Sequence, residues 1–227
     1  MVKTIEYLNL SALAYADLKK SDTGLTLDEI IRDEQKNKSR KNFNLSDPQL
    51  FALQDSSNPL RSFVLLSQSP LTYTRTVKDR NGIRTITVEN EFSCIALQNP
   101  ETKEIIFAFR GTDTTDNGIP VWNDAATDAI IGLTVLPPLQ AQNVLDFAQS
   151  TVAKLTNNKD ISINRSLQYL KNNNATATGH SLGGGLASYL THATSNLDTG
   201  GSYGGIKSVT FNAVGIGHSL PKLGGVA

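Results

Sequence analysis

The sequence predicts an α/β fold, a mostly parallel sheet with flanking helices and an N-terminal helical and β-hairpin extension. Three observations predict it. Apolar residues recur at helical spacing in Thr4 to Lys19 and Val144 to Leu155, and at strand spacing from Thr72 onward. Ile105-Ile106-Phe107-Ala108-Phe109 is continuously apolar, as a strand buried on both faces should be. Gly179-His180-Ser181-Leu182-Gly183 follows small and β-branched residues (Ala175 to Thr178) and precedes a helical run at Leu186 to Ala193. That is the strand, sharp turn and helix a Gly-x-Ser-x-Gly elbow needs.

The bulk numbers agree with one domain over residues 1–227: a helical N-terminal segment at 1–70, then the sheet at 71–227. Basic and acidic residues balance at 21 each, and no basic run points to nucleic acid or a charged membrane surface. The single Cys94 excludes an intrachain disulfide and any Cys-rich metal site, and its strand-like setting predicts buried packing. No signal-peptide pattern and no apolar run of spanning length is found, so a soluble chain is expected. It is either cytoplasmic or exported by a route that reads no N-terminal signal.

In chain order, Ile5, Leu8, Ala12, Tyr15 and Ala16 mark an amphipathic helix. Thr26 to Glu34 reads as a short helix, and Asp47-Pro48 opens another. Thr72 to Val77 and Ile83 to Val88 alternate around Asn81-Gly82, a β-hairpin with a type I′ signal. Phe92 to Leu97 and Glu104 to Phe109 are strands joined at Asn99-Pro100-Glu101-Thr102. Residues 114–140 are apolar and Pro-punctuated, which suits either a lid or acyl groove or a core helix over Asn123 to Leu133. Ile161 to Leu170 reads as a helix, Gly200 to Gly205 as a flexible connection and Ile206 to Val214 as a strand.

The elbow predicts the chemistry. Gly179 and Gly183 free the turn of side chains, so Ser181 Oγ would stand above the sheet edge as a nucleophile. The Leu182 N–H, at the start of the helix, would point at a developing oxyanion. Gly217-His218-Ser219-Leu220 repeats four letters but continues with Pro221, so no helix follows it.

Phe109-Arg110-Gly111-Thr112 ends a strand roughly 70 residues ahead of the Gly-His-Ser-Leu-Gly-Gly elbow. Together these motifs resemble the class 3 lipase family of α/β-hydrolases. Phe92 to Asp113 is similar to bacterial phospholipase-type members, Trp122-Asn123-Asp124 to the family's Trp-x-x-Asp segment, and Val209-Thr210-Phe211-Asn212 to the strand after the elbow helix. The likeness covers about Phe92 to Gly217. It implies an α/β-hydrolase sheet, a lipid or other acyl-ester substrate and transient contact with a lipid interface. It also implies an oxyanion hole in which Thr112 contributes its amide and hydroxyl beside Leu182 N–H. Asp124 or Asp128 would fill the acidic position. Independently, Gly111 lets the backbone turn there, and losing one such donor typically costs about 3–4 kcal/mol of transition-state stabilisation.

The nucleophile needs a base and an orienting acid. His180 adjoins Ser181 in the turn, so its side chain points elsewhere. His192 lies about 16 Å along the helix. His218, past a strand's C-terminal end, is the only in-chain candidate. Asp198 follows the elbow helix and should sit roughly 20 Å away, which excludes a Ser181–Asp198–His218 triad. The expectation is a chain that stops before its acid and base, lacking the last strands of the fold and leaving an unpaired sheet edge. The alternative is a Ser181–His218 dyad with an acid from elsewhere. No metal or other cofactor, no nucleic acid and no obligate protein partner is expected. The rivals to a lipid-ester hydrolase are a non-catalytic module keeping the elbow for its shape, and a thioesterase or peptidase on the same scaffold.

Overall fold

The computed structural model describes residues 2–16, 18–38, 43, 48–69, 72–79, 82–89, 92–111, 115–116, 119–120, 138–197 and 204–213. At its centre is a five-stranded sheet in the order β1 (Val64–Gln68), β4 (Cys94–Gln98), β5 (Ile105–Phe109), β8 (Thr176–His180), β9 (Lys207–Phe211). Two further ribbons stand apart from it: β2 (Thr72–Asp79) with β3 (Gly82–Glu89), and β6 (Thr115–Asp116) with β7 (Ile119–Pro120).

The expectation of a mostly parallel sheet is corrected here, because the sheet is evenly mixed. β1–β4 and β4–β5 pair antiparallel, whereas β5–β8 and β8–β9 pair parallel. Connection length accounts for the last three pairings, though not for β1 with β4, whose 25-residue connection would allow either direction. Residues 99–104 are too few for a crossover, so β5 folds back on β4, and Asn99 Oδ1 accepts the Glu101 and Thr102 amides at 2.8 and 3.0 Å to close that turn. β5 and β8, and then β8 and β9, are separated by helices long enough to carry the chain back. In the hairpin Asp79 stands opposite Gly82, so Gly82 belongs to the ladder and the pair between the strands is 80–81, one residue earlier than the Asn81-Gly82 turn expected; residues 80–81 themselves lie outside the described residues.

Helices cover both faces. On one lie α1 (Thr4–Leu13), α2 (Leu27–Asn37) and the single turn α3 (Pro48–Phe51); on the other lie α4 (Pro138–Thr156), α5 (Ile163–Asn172) and α6 (Leu182–Ser195). β5 shows why its sequence is unbroken by polar residues. Ile105, Phe107 and Phe109 enter the α4–α6 core, while Ile106 and Ala108 enter the α1–α3 core. Phe107 and Phe147 meet edge to face at 6.1 Å in the first of these cores. Cys94 packs there as a free thiol whose pKa burial pushes well up.

The first helix differs from the expected one. It ends at Leu13, and Tyr7, Leu10 and Leu13 form its buried side, while Ile5 is 57% exposed. Tyr15 and Ala16 are buried in the turns that follow, so the face inferred from Ile5 and Leu8 is rotated from the true one. Two of the remaining helices start at side-chain caps. Thr26 Oγ1 accepts the Glu29 amide at 3.2 Å while Glu29 accepts the Thr26 amide at 2.8 Å, and Ser162 accepts from Arg165 at 3.3 Å. No helix among the described residues is long and apolar enough to cross a membrane. The helix anticipated over Asn123 to Leu133 lies outside the described residues.

Candidate active site

β8 is buried along its length and delivers the chain to Ser181 at the sheet's edge. Ser181 takes φ 54° and ψ −125°, and α6 begins at the next residue. A positive φ on a serine is a strained conformation that persists only where its surroundings enforce it. Here they do so from both sides. The Ser181 amide donates to the Phe211 carbonyl at the end of β9, 3.0 Å away. The Ser181 carbonyl accepts the Gly184 and Gly185 amides at 3.0 and 3.3 Å, in the first turn of α6.

The glycines of the motif are explained by contact. A side chain on Gly179 would overlap the backbone of Gly183, and one on Gly183 would overlap the Phe109 carbonyl of β5. The helix is therefore pressed against the strand before it and against the neighbouring strand. With Gly184 and Gly185 engaged on the Ser181 carbonyl, the Leu182 N–H heads the helix among the amides that have no intrahelical acceptor. Ser181 itself is 6% exposed.

Arg110 and Gly111 leave the end of β5 beside this turn. A Cβ on Gly111 would stand 2.6 Å from the His180 carbonyl, 2.7 Å from the Tyr15 hydroxyl and 3.2 Å from Ser181 Cβ. Gly111 is thus packed on the elbow, and its amide donates to Tyr15 Oη at 3.0 Å. Arg110 is half-buried, and its Nε has no hydrogen-bond partner among the described residues. Thr112, the next residue, lies outside the described residues, as do Asp124, Asp128, Asp198 and His218.

Two histidines are described. Thr178 Oγ1 donates to the Tyr7 carbonyl at 3.2 Å and Ala177 lies in the α4–α6 core, so strand alternation turns His180 with Thr178 toward the α1 layer. Burial pushes the His180 pKa down. His192 is in the last turn of α6, with Nε2 2.8 Å from Asn196 Nδ2. Among the described residues no three His, Cys, Asp or Glu side chains come together as a metal site.

Two contributors escaped the sequence reading. Tyr15 was visible only as a member of an amphipathic face, where its one distinguishing signal is a phenol among aliphatic residues. Ser93 gave no signal at all, yet its hydroxyl donates to the Ala14 carbonyl at 3.3 Å and its carbonyl accepts the Arg110 amide at 2.9 Å.

Comparison with known proteins returns no match: no family model fits the chain, and neither a curated protein nor a solved structure was found to resemble it. The likeness to class 3 lipases therefore rests on the motif residues themselves.

Proposed function

We propose that the chain is a serine ester hydrolase of the α/β-hydrolase type, acting on lipid esters as a lipase or phospholipase does. The observation that carries the reading is the backbone of Ser181, held at φ 54° between a buried strand and a helix N-terminus. Nothing about a structural turn requires a serine in that conformation, where glycine would be unstrained. A nucleophile would be served by it, because the turn carries the residue off the end of the strand with the Leu182 amide beside it at the head of the helix.

In the proposed reaction Ser181 Oγ attacks the acyl carbonyl and its proton passes to a general base. The tetrahedral oxyanion is held by the Leu182 N–H and by the amide and hydroxyl of Thr112. Collapse expels the alcohol, which takes up the proton, and leaves an acyl-enzyme on Ser181. Water then releases the fatty acid by the same steps. Gly111 against Ser181 supports the Thr112 assignment, since the following residue leaves from that contact. The base and its acid are not supplied by the described histidines; His218 lies outside the described residues.

The positions of His180 and His192 favour one second reading, a non-catalytic module that keeps the elbow for its shape. A fluorophosphonate probe decides between them. Ser181-dependent labelling, lost in Ser181→Ala, supports the hydrolase. Equal labelling of the two folded proteins, or none of either, supports the module. A chain-length series of nitrophenyl esters against a thioester panel then separates lipid esters from thioesters.

A further inference from the structure

A buried residue from the start of the chain reaches the corner where the hydrolase reading places the oxyanion hole. Tyr15 is 7% exposed, and its hydroxyl accepts the Gly111 amide at 3.0 Å across 96 residues of sequence. Gly111 is the second residue past the end of β5 at Phe109, so the sheet offers its amide no ladder partner. The phenol supplies one, and the absence of a side chain on Gly111 is what lets it approach.

The backbone on either side of this contact is itself held. The Ser93 hydroxyl donates to the Ala14 carbonyl at 3.3 Å, and the Ser93 carbonyl accepts the Arg110 amide at 2.9 Å. Residues 14 and 15 thus grip two consecutive amides at the end of β5, one through Ser93 and one directly. The same segment of chain lies against the elbow, because the space beside Gly111 Cα is bounded by both Tyr15 Oη and Ser181 Cβ.

We propose that Tyr15 is a positioning residue of the site: by holding the Gly111 amide it fixes the Gly111 peptide against the His180 carbonyl and Ser181 Cβ, and so the seat of the turn that carries the nucleophile. The role rests on the hydrolase reading. Tyr15 touches no reacting atom; it acts through the Gly111 peptide. A nucleophile attacks well only when it is aimed before the reaction begins, and small displacements are expensive in rate.

Tyr15→Phe on the full chain isolates the hydroxyl, since the ring still fills its space. The expected result is a kcat for a nitrophenyl ester about ten- to a hundredfold lower, with KM within about twofold. Amide exchange at Gly111 should quicken more than about tenfold while the β5 amides of Ile106 to Phe109 keep their protection. Ser93→Ala should move both readouts the same way, more weakly. Wild-type kcat and wild-type Gly111 exchange in Tyr15→Phe overturn the positioning role alone, and so does a uniform loss of protection along β5, which marks a role in stability only. A wild-type chain with no Ser181-dependent acylation overturns the hydrolase reading, and the positioning role with it.

Discussion

Gly183→Ala tests the packing on which the elbow depends, because two effects of opposite sign meet there. Gly183 lies in α6, where alanine is intrinsically favoured over glycine by about 1 kcal/mol. Against this, the new methyl would overlap the Phe109 carbonyl oxygen and stand 2.8 Å from the carbonyl carbons of Phe109 and Arg110. These are backbone atoms at the end of the central strand, and none can rotate aside. Carbon atoms pack favourably at about 3.5–4.0 Å, so α6 must lift from β5 by something near an ångström. Overpacking of that kind costs about 1–3 kcal/mol and here disturbs β5, α6 and the Ser181 turn together. The clash therefore outweighs the propensity gain, and a net loss of about 2 kcal/mol is expected. For a chain of this size that lowers Tm by about 4–8 °C. Differential scanning calorimetry against Ser188→Ala, on the same helix, gives the contrast. Ser188 only back-bonds to the Gly184 carbonyl at 2.9 Å, and its replacement should change stability by less than about 0.5 kcal/mol. A Gly183→Ala protein as stable as the parent, or more so, would mean that α6 is not seated on the end of β5, and the derivation of the elbow from its glycines would be wrong.

Two other perturbations have a defined direction. Ser181→Gly removes the strain of φ 54° on a side-chain-bearing residue, worth about 1–3 kcal/mol, and should raise Tm by several degrees while abolishing fluorophosphonate labelling; a fall in Tm would refute the strain. His180 has a folded-state pKa depressed by burial, so as pH falls the unfolded chain binds that proton first, near 6.5. The stability it permits is full above that value and is lost as pH falls from there toward the folded-state pKa, at no more than about 1.4 kcal/mol per pH unit. Urea titrations of wild type and His180→Gln between pH 7 and 5 should converge toward low pH if this is right, and run parallel if it is not.

The elements with strong periodicity were legible in the sequence. β5 reads as a buried central strand because both its faces meet apolar layers, and Gly179 and Gly183 read as an elbow because backbone contact forbids anything larger there. The evenly mixed sheet was less legible, since strand direction depends on how the connections run and not on the residues within each strand. The buried side of α1 was misjudged because its apolar residues nearly surround it: Ile5 and Leu8 compete with Tyr7, Leu10 and Leu13, and only docking decides between them. Tyr15 and Ser93 were illegible as site residues because their importance lies in contacts 96 and 79 residues away, which no local spacing encodes.

The docking of α1 also has a cost in time. Thr178 reaches back 171 residues to the Tyr7 carbonyl, so this part of the α1 seat cannot form until β8 has followed it off the ribosome. At synthesis rates of about 5–20 residues per second, that interval is on the order of ten to thirty seconds. Throughout it the side of α1 that β8 will cover lacks that cover, which makes this helix a segment for a chaperone to hold.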